Sequence, residues 1–317
     1  MTENDGRWER EVITKLATAA LKEQRRARLW GIFFKLLTFA YITIAALLAF
    51  DWKSGDGMGV GGKKHTAMVE LNGVISPGGD ASAEKITGAL QAAFKDKNTQ
   101  GVILRINSPG GSPVQSQTIY DEIRRLRKKY PDIPLYAVVE DICASGGYFV
   151  AVGADRIYVS KSSIVGSIGV LMNGFGFTGL MDKLGIERRL ITAGENKAML
   201  DPFSPLEKKH EEYARKLAEE IHQQFIAVVR EGRGKRLQES PDTFSGLIWS
   251  GEKSVQLGLA DGIGTLDSVA RDVIKAEDIV DYTQKENIAE KFAKRFGASV
   301  GTAIAEFALR ASPPLIR

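Results

Sequence analysis

Short apolar runs rich in β-branched residues alternate with helical patterns through the middle of the chain. The apolar runs cover residues 68–75, 102–106 and 135–139, and apolar positions at helical spacing fill residues 83–94 and 116–130 between them. Continuous apolar runs of this length predict buried strands, whereas three- and four-residue spacing predicts amphipathic helices. The alternation therefore predicts an α/β domain with a largely parallel sheet covered by helices.

The patterns are weaker in the second half of the chain. Residues 156–159, 167–172 and 187–193 are predicted strands, and residues 177–184 are a predicted helix. Ser204 is followed by a proline and, three positions on, by a glutamate, which predicts an N-cap and a long helix beginning there.

A long apolar segment near the N-terminus predicts a membrane-spanning helix. Residues 29–50 contain one charge, Lys35, and as a helix would extend about 33 Å at roughly 1.5 Å per residue, enough for a hydrocarbon core near 30 Å. Basic residues cluster just before the segment, so the positive-inside rule predicts that residues 1–28 are cytoplasmic and the rest is periplasmic. A cleaved signal peptide is the competing interpretation, which the long N-terminal flank disfavours. We expect a single-pass anchor in the inner (cytoplasmic) membrane.

The chain beyond the span divides into three predicted parts. Residues 51–65 are glycine-rich and lack a hydrophobic pattern, as is typical of a flexible tether. Residues 66–284 carry the alternating pattern of the folded domain. Residues 285–317 have apolar residues at helical spacing with basic residues beside them, which predicts an amphipathic helix and tail.

Composition narrows the function classes. The formal net charge is only +4 and the basic residues are dispersed, which disfavours a nucleic-acid partner. Cys143 is the only cysteine, so an intrachain disulfide framework and a multi-thiolate metal site are both excluded. It lies in an apolar run and is interpreted as an inert core residue.

Three segments carry candidate chemistry for acyl transfer. Residues 144–148 read A-S-G-G-Y and place Ser145 between a predicted strand and a predicted helix, where a nucleophile is lifted clear of the sheet. Residues 107–111 read N-S-P-G-G, which is either a plain turn or a source of backbone amides for an oxyanion. The chain has three histidines, none well placed to be the base, whereas a lysine such as Lys197 can serve once it is uncharged. From composition alone, Lys197 is equally an ordinary surface lysine.

Taken together, these segments resemble the signal peptide peptidase A family, whose members are membrane-bound Ser-Lys peptidases. The resemblance covers residues 68–267 and adds A-D-R-I at 154–157, G-S-I-G-V at 166–170 and a late W-S-G…G-L-A-D stretch at 249–261. It implies a ClpP/crotonase-like α/β fold with repeated ββα units behind one transmembrane helix.

The resemblance also implies the roles of individual residues. Ser145 would be the nucleophile and Lys197 the general base, with the lysine oriented by Ser167. Gly110 or Gly111, with Gly146, would donate the oxyanion hydrogen bonds. No cofactor and no metal ion are implied. The family usually has a second hydroxyl two residues before Ser167, where this chain has valine.

Assembly and substrates are implied in the same way. Single-domain members form homo-oligomers, so we expect an octamer in which serine and lysine come from one subunit or from two. The implied substrates are remnant signal peptides and other unfolded peptides. The dyad leaves open a Ser-Lys protease with a defined membrane-protein client, of the stomatin-associated type. A crotonase-like acyl-transfer enzyme and a non-catalytic membrane scaffold are the further alternatives.

Overall fold

The computed structural model describes residues 5–55 and 63–284, and the chain separates into two compact units that meet in sequence at Gly62 and Lys63. The first unit is the helix α1, Asp5–Gly55. Within it, Thr14–Ile44 is long and apolar enough to cross a membrane, with a mean hydropathy of 1.4. This stretch begins earlier than the predicted span at 29–50.

The predicted flanks are partly outside the described residues. Of the predicted tether at 51–65, the first five residues belong to α1 and His65 opens the first strand, whereas residues 56–62 are not described. The predicted C-terminal helix and tail at 285–317 also lie outside the described residues.

The second unit is an α/β domain whose first half alternates strand and helix. Its elements up to the nucleophile segment are β1 His65–Asn72, α2 Ala83–Lys95, β2 Thr99–Ser108, α3 Pro113–Lys129, β3 Leu135–Ala144 and α4 Gly146–Ala151. They are followed by β4 Arg156–Val159, β5 Ile164–Gly166, α5 Thr178–Leu184, α6 Lys208–Arg233, β6 Ile248–Ser250, α7 Gly251–Gln256, β7 Gly262–Ile263, α8 Leu266–Ser268, a π-helical turn Val269–Ile274 and β8 Ile279–Asp281.

The sheet has the strand order β6-β5-β3-β2-β1-β8, with β4 paired to β3 and to β7. Every pairing is parallel except that of β5 with β6. A register shift in β3 between its pairs with Ile106 and Ser108 lets β4 lie beside the first half of β3 and β5 beside the second half. The parallel α/β fold expected from the pattern is confirmed.

The main core lies between the sheet and the helices α2, α3 and α4. Alternate residues of the strands, such as Leu104 and Val139, pack there against Ile86 and Ile123 from the helices, and all are buried. Burial of these branched side chains removes about 1.5–3 kcal/mol of unfavourable hydration each, which is why the regular pattern specifies the fold. The opposite face has a smaller cluster that includes Tyr158.

Three local expectations are wrong. No strand forms at 167–172 or 187–193 in the described structure. The backbone is irregular in both segments; Ile168 is buried in the first, whereas the second is exposed throughout. The long helix begins at Lys208 rather than beside Ser204. The Ser204 hydroxyl donates instead to the Asp201 carboxylate, at 2.6 Å, so it is engaged in a turn that precedes the helix.

Candidate active site

Ser145 and Ser167 are brought side by side by the parallel register of two strands. Ala144 at the end of β3 pairs with Gly166 at the end of β5, and the Ser145 N–H donates to the Gly166 carbonyl at 2.8 Å. Each serine directly follows one of these paired residues. Because parallel strands deliver their carboxyl ends to the same edge of a sheet, the predicted nucleophile and the predicted orienting hydroxyl are neighbours there.

Both serines have strained backbones. The φ angle is 50° at Ser145 and 53° at Ser167, a region that residues with a Cβ rarely occupy. In the described part of the chain, they are two of four non-glycine residues with positive φ. Conformations of this kind cost about 1–3 kcal/mol and persist where the surrounding structure enforces them, most often at functional sites.

The glycine turn after β2 contacts the nucleophile segment directly. A Cβ placed on Gly110 would lie 2.6 Å from the Gly146 nitrogen and 2.8 Å from the Ser145 Cβ. Only glycine at position 110, where φ is +99°, allows this approach. The turn is fixed by the Ile75 N–H, which donates to the Gly110 carbonyl at 2.8 Å.

The two glycine amides of this turn are in different situations. The Gly110 N–H donates to the Ser108 hydroxyl at 3.1 Å. The Gly111 N–H has no acceptor within the described residues, and its nitrogen lies 3.2 Å from the position of a Cβ on Gly146. Of the two predicted alternatives, Gly111 is therefore the one whose amide is available beside Gly146.

These groups together can stabilise a tetrahedral intermediate. The Gly146 amide opens α4, where the first N–H groups of a helix have no intrahelical acceptor and carry partial positive charge. Two convergent amides next to a serine hydroxyl form the kind of site that stabilises a developing oxyanion in acyl transfer. The Ser145 side chain is half-buried, which leaves it open to a substrate.

Lys197 lies in an exposed turn and makes no hydrogen bond to Ser145, Ser167 or the glycine turn within residues 63–284. Its N–H donates to the Gly194 carbonyl at 3.1 Å, while its Nζ has no hydrogen-bond or ion-pair partner among residues 63–284. The preceding residue, Asn196, contacts His210 at the start of α6. The same helix contacts the carbonyl of Ile168, beside Ser167, through His222. Twelve residues separate the two histidines, about 18 Å along the helix axis at 1.5 Å per residue.

The other candidate nucleophile and bases are placed elsewhere. Cys143 is fully buried, and this burial raises the pKa of its thiol, so the interpretation as an inert core residue is confirmed. The His65 Nε2 lies 3.1 Å from the Tyr282 hydroxyl. His65 is at the start of β1, whereas Ser145 follows the carboxyl end of β3, at the opposite edge of the sheet. Across residues 5–55 and 63–284, no group of three or more His, Cys, Asp or Glu side chains is arranged to hold a metal ion.

Two further serines, Ser108 and Ser116, support the site and were not predicted from the sequence. The Ser108 hydroxyl donates to the Gly73 carbonyl at 2.6 Å and accepts from the Gly110 N–H, which joins the turn after β1 to the glycine turn after β2. Ser116 lies so close to Gly146 that a Cβ there would be 2.5 Å from its hydroxyl. The signal for Ser108 was its place inside the N-S-P-G-G motif, whereas Ser116 is one of several polar positions on α3.

The helix α4, which follows Ser145, is held by a hydrogen bond from Tyr148 to a turn that contains a buried ion pair. The Tyr148 hydroxyl donates to the Leu259 carbonyl at 2.8 Å, and nearby the buried Arg233 pairs with Asp261 at 2.8 Å. Burial acts to raise the pKa of Asp261, but the hydrogen bond and charge of Arg233, the hydrogen bond from the Ile157 N–H and the charge of Arg236 together hold that pKa below its usual value. The turn that receives Tyr148 is thus pinned to the end of α6.

Sequence profiles of two families match this domain. The profile of peptidase family S49 matches residues 127–279, and that of Clp protease matches residues 68–165. The first range includes Ser145, Ser167 and Lys197. The second covers the sheet as far as Val165.

Named proteins from several organisms are similar to the chain. It is 46% identical over 209 residues to proteins named Na(+)/H(+) antiporter NhaA from Brucella abortus and Brucella melitensis, a match that covers 64% of this chain and 28% of theirs. A Methanocaldococcus jannaschii protein, provisionally named protease MJ0651, is 34% identical, with 75% of this chain and 72% of that protein covered. An Enterococcus faecium protein, provisionally named signal peptide peptidase SppA, is 29% identical, with 77% and 72% covered.

Proposed function

Because the chain belongs to peptidase family S49 and is thereby a serine peptidase, we propose that it is a membrane-anchored endopeptidase that works through a dyad of Ser145 and Lys197. Its substrates are remnant signal peptides and other unfolded peptides. The observation that carries the proposal is the strained Ser145 at a strand-to-helix junction, flanked by the free amides of Gly111 and Gly146.

The first half of the reaction forms an acyl-enzyme. The Ser145 Oγ attacks the scissile carbonyl carbon while its proton passes to the uncharged Lys197 amine. The carbonyl oxygen becomes an oxyanion that accepts hydrogen bonds from the Gly111 and Gly146 N–H groups. The C–N bond then breaks, and the lysine returns the proton to the leaving amine. Water attacks the resulting ester in the same manner and releases the carboxylic acid product.

The lysine is supplied by an adjoining copy of the chain. In its own subunit Lys197 is attached to the start of α6, whereas Ser145 and Ser167 lie near the contact that α6 makes twelve residues later. A separation of about 18 Å along one rigid helix exceeds the reach of a lysine side chain. In a ring of copies, the exposed turn that carries Lys197 can be presented to the serine of the next subunit.

Self-association is supported by the exposed apolar side chains around that turn. Residues 170–207 lie mostly outside the core, and their aromatic and aliphatic side chains face solvent in the single chain. A concentration of this kind marks a protein interface in soluble domains. The most exposed are Leu171, Phe175, Leu180, Leu184, Ile191 and Leu206. We propose that they are covered in a homo-octamer, which encloses the active sites.

The substrate class follows from location and accessibility. A candidate span in Thr14–Ile44, with basic residues ahead of its most apolar part, supports a single-pass anchor in the inner membrane with the N-terminus in the cytoplasm and the domain in the periplasm. An enclosed site admits an extended peptide, added as a strand, and excludes folded proteins. Signal peptides left in the membrane after cleavage are apolar, unfolded and near the anchor.

The proposal is tested by paired variants in the full-length protein. Ser145→Ala and Lys197→Ala should each abolish hydrolysis of a fluorogenic signal-peptide substrate while assembly by light scattering is unchanged. Lys208→Ala, a nearby exposed lysine on α6, is the matched control and should retain parental activity. Parental activity in Lys197→Ala at neutral pH would refute the dyad.

Mixed assemblies test the origin of the lysine. Co-expressed Ser145→Ala and Lys197→Ala subunits should recover activity, because the intact lysine of one meets the intact serine of the other. An inactive mixture that contains both subunits would show instead that each dyad is formed within one chain.

A further inference from the structure

The helix α6 contacts all three segments that hold the proposed catalytic residues. At its start it contacts the turn of Lys197, near its middle the backbone beside Ser167, and further on the helix that follows Ser145. The last contact is made by Phe225, whose ring centroid lies 5.1 Å from that of Phe149 in α4. The first two contacts are made by His210 and His222, which were not predicted to have a role in the site.

His210 holds the residue before the lysine. The His210 side chain is 8% exposed, and its Nε2 lies 3.0 Å from the Asn196 Oδ1, so the ring N–H donates to the amide oxygen. An exposed ion pair between Lys209 and Glu195, at 2.8 Å, contacts the same turn. Exposed pairs contribute little, whereas an unmade hydrogen bond at a buried group is costly. The histidine is therefore the main tie between α6 and the lysine turn.

His222 holds the residue after Ser167. Its Nε2–H donates to the Ile168 carbonyl at 3.1 Å. The neighbouring Ser167 has a φ of 53°, and its N–H donates to the Leu247 carbonyl at 2.7 Å. A strained residue keeps its conformation only if the groups on both sides are fixed. The Leu247 contact fixes one side of Ser167 and the His222 contact fixes the other.

We propose that His210 and His222 are positioning residues for the two halves of the dyad. His210 sets the direction of the turn that presents Lys197, and His222 maintains the backbone that aims the Ser167 hydroxyl. Both histidines belong to one continuous helix. Within a subunit, α6 therefore fixes the distance between Lys197, which enters the active site of the neighbouring copy, and the subunit's own Ser145 and Ser167. This inference rests on the dyad proposed above.

Substitution by leucine and by glutamine separates positioning from packing. Leucine fills a similar volume but has no donor, whereas the glutamine Nε2–H2 can donate from nearly the same place. His210→Leu and His222→Leu should assemble and lose about tenfold or more in kcat with little change in KM, since a shift near 1 Å at a catalytic group costs about 10²-fold. His210→Gln and His222→Gln should recover kcat to within a few-fold of the parent.

Two matched controls use neighbours on the same helix. Lys209→Ala removes two exposed ion pairs, with Glu195 and Glu207, and Gln223→Ala removes an exposed side chain beside His222. Both should keep parental kcat. An assembled leucine variant with parental kcat would overturn the assignment for that histidine, as would an assembled glutamine variant whose kcat is reduced tenfold. The glutamine variant also keeps the proposal testable if leucine prevents assembly.

Mixing experiments give each histidine a signature that a general loss of stability does not produce. His210→Leu damages the lysine side, so it should be complemented by Ser145→Ala subunits and not by Lys197→Ala subunits. His222→Leu damages the serine side and should show the reverse. The opposite pattern would overturn the proposal. Parental activity in Lys197→Ala alone would instead refute the dyad, whatever the histidine variants do.

Discussion

Gly110→Ala should inactivate the enzyme and lower its stability. The backbone cost follows from the φ of +99°, since an L-residue in the left-handed region is disfavoured by about 1–2 kcal/mol. Alanine also stiffens the unfolded chain, which offsets about 0.4–1 kcal/mol. The backbone effect alone is close to 1 kcal/mol, or a fall of about 2–4 °C in Tm for a domain of 150–250 residues, and the clash of the new Cβ with the atoms around it adds to this cost.

The effect on activity comes from contact with the nucleophile. The new methyl group would lie 2.6 Å from the Gly146 nitrogen and 2.8 Å from the Ser145 Cβ, so the start of α4 must move. A displacement near 1 Å misaligns the serine and one oxyanion donor, and kcat/KM should fall by about 10²-fold or more. Peptide hydrolysis and differential scanning calorimetry of the assembled protein measure the two effects.

Gly73→Ala is the matched control. Its φ of +85° imposes the same kind of backbone strain, but no atom lies within 4 Å of the added methyl group. It should lower Tm by about 2–4 °C, less than Gly110→Ala does, and leave kcat/KM unchanged. The reasoning is refuted if Gly110→Ala retains parental kcat/KM, or if Gly73→Ala is equally inactive.

Three further predictions concern Ser108, Tyr148 and Asp261, whose side chains support the segments that carry the site. Ser108→Ala removes the acceptor of the Gly110 N–H and the donor to the Gly73 carbonyl, so kcat should fall about tenfold with KM unchanged; parental steady-state kinetics would contradict this. Tyr148→Phe leaves the Leu259 carbonyl without its donor and should lower the free energy of unfolding by about 1–3 kcal/mol in urea titrations, and an unchanged midpoint would be evidence against it. The depressed pKa of Asp261 contributes stability that is present above the unfolded value near 4 and lost as pH falls below it; Asp261→Asn should therefore be less stable at pH 7, by about 3–5 kcal/mol because Arg233 is left without a counter-charge, and should lose part of this acid dependence in calorimetric scans.

The regular first half of the fold was predictable because its pattern is strong. Strands β1 to β3 and helices α2 to α4 are specified by apolar residues that one core buries, and the predicted and observed elements overlap there. The segments at 167–172 and 187–193 have apolar residues in strand-like order, but of these residues only Ile168 is buried in the single chain. An apolar pattern predicts that these side chains are buried, but it does not identify the surface that covers them. We propose that this surface belongs to another copy of the chain.

The candidate site was likewise predictable only in part. The proximity of Ser145 and Ser167 depends on the register of β3 with β5, which the sequence does not display, although the family resemblance implied it. The choice between Gly110 and Gly111 depended on one side chain, Ser108, that occupies the first amide. In the assembly that we propose, the place of Lys197 relative to Ser145 depends on how copies associate, and neither periodicity nor spacing could provide it.

The single thiol of this chain is sealed inside the sheet, with Cys143 paired to Val165 and out of contact with solvent. Maleimides and thiol-reactive spin labels should therefore not react with the parent protein, and should react only at a cysteine introduced on the surface. Cross-links between surface positions such as Ile191 and Leu206 can then map the arrangement of copies in native membranes, and the nucleophile segment need not be altered to remove background labelling.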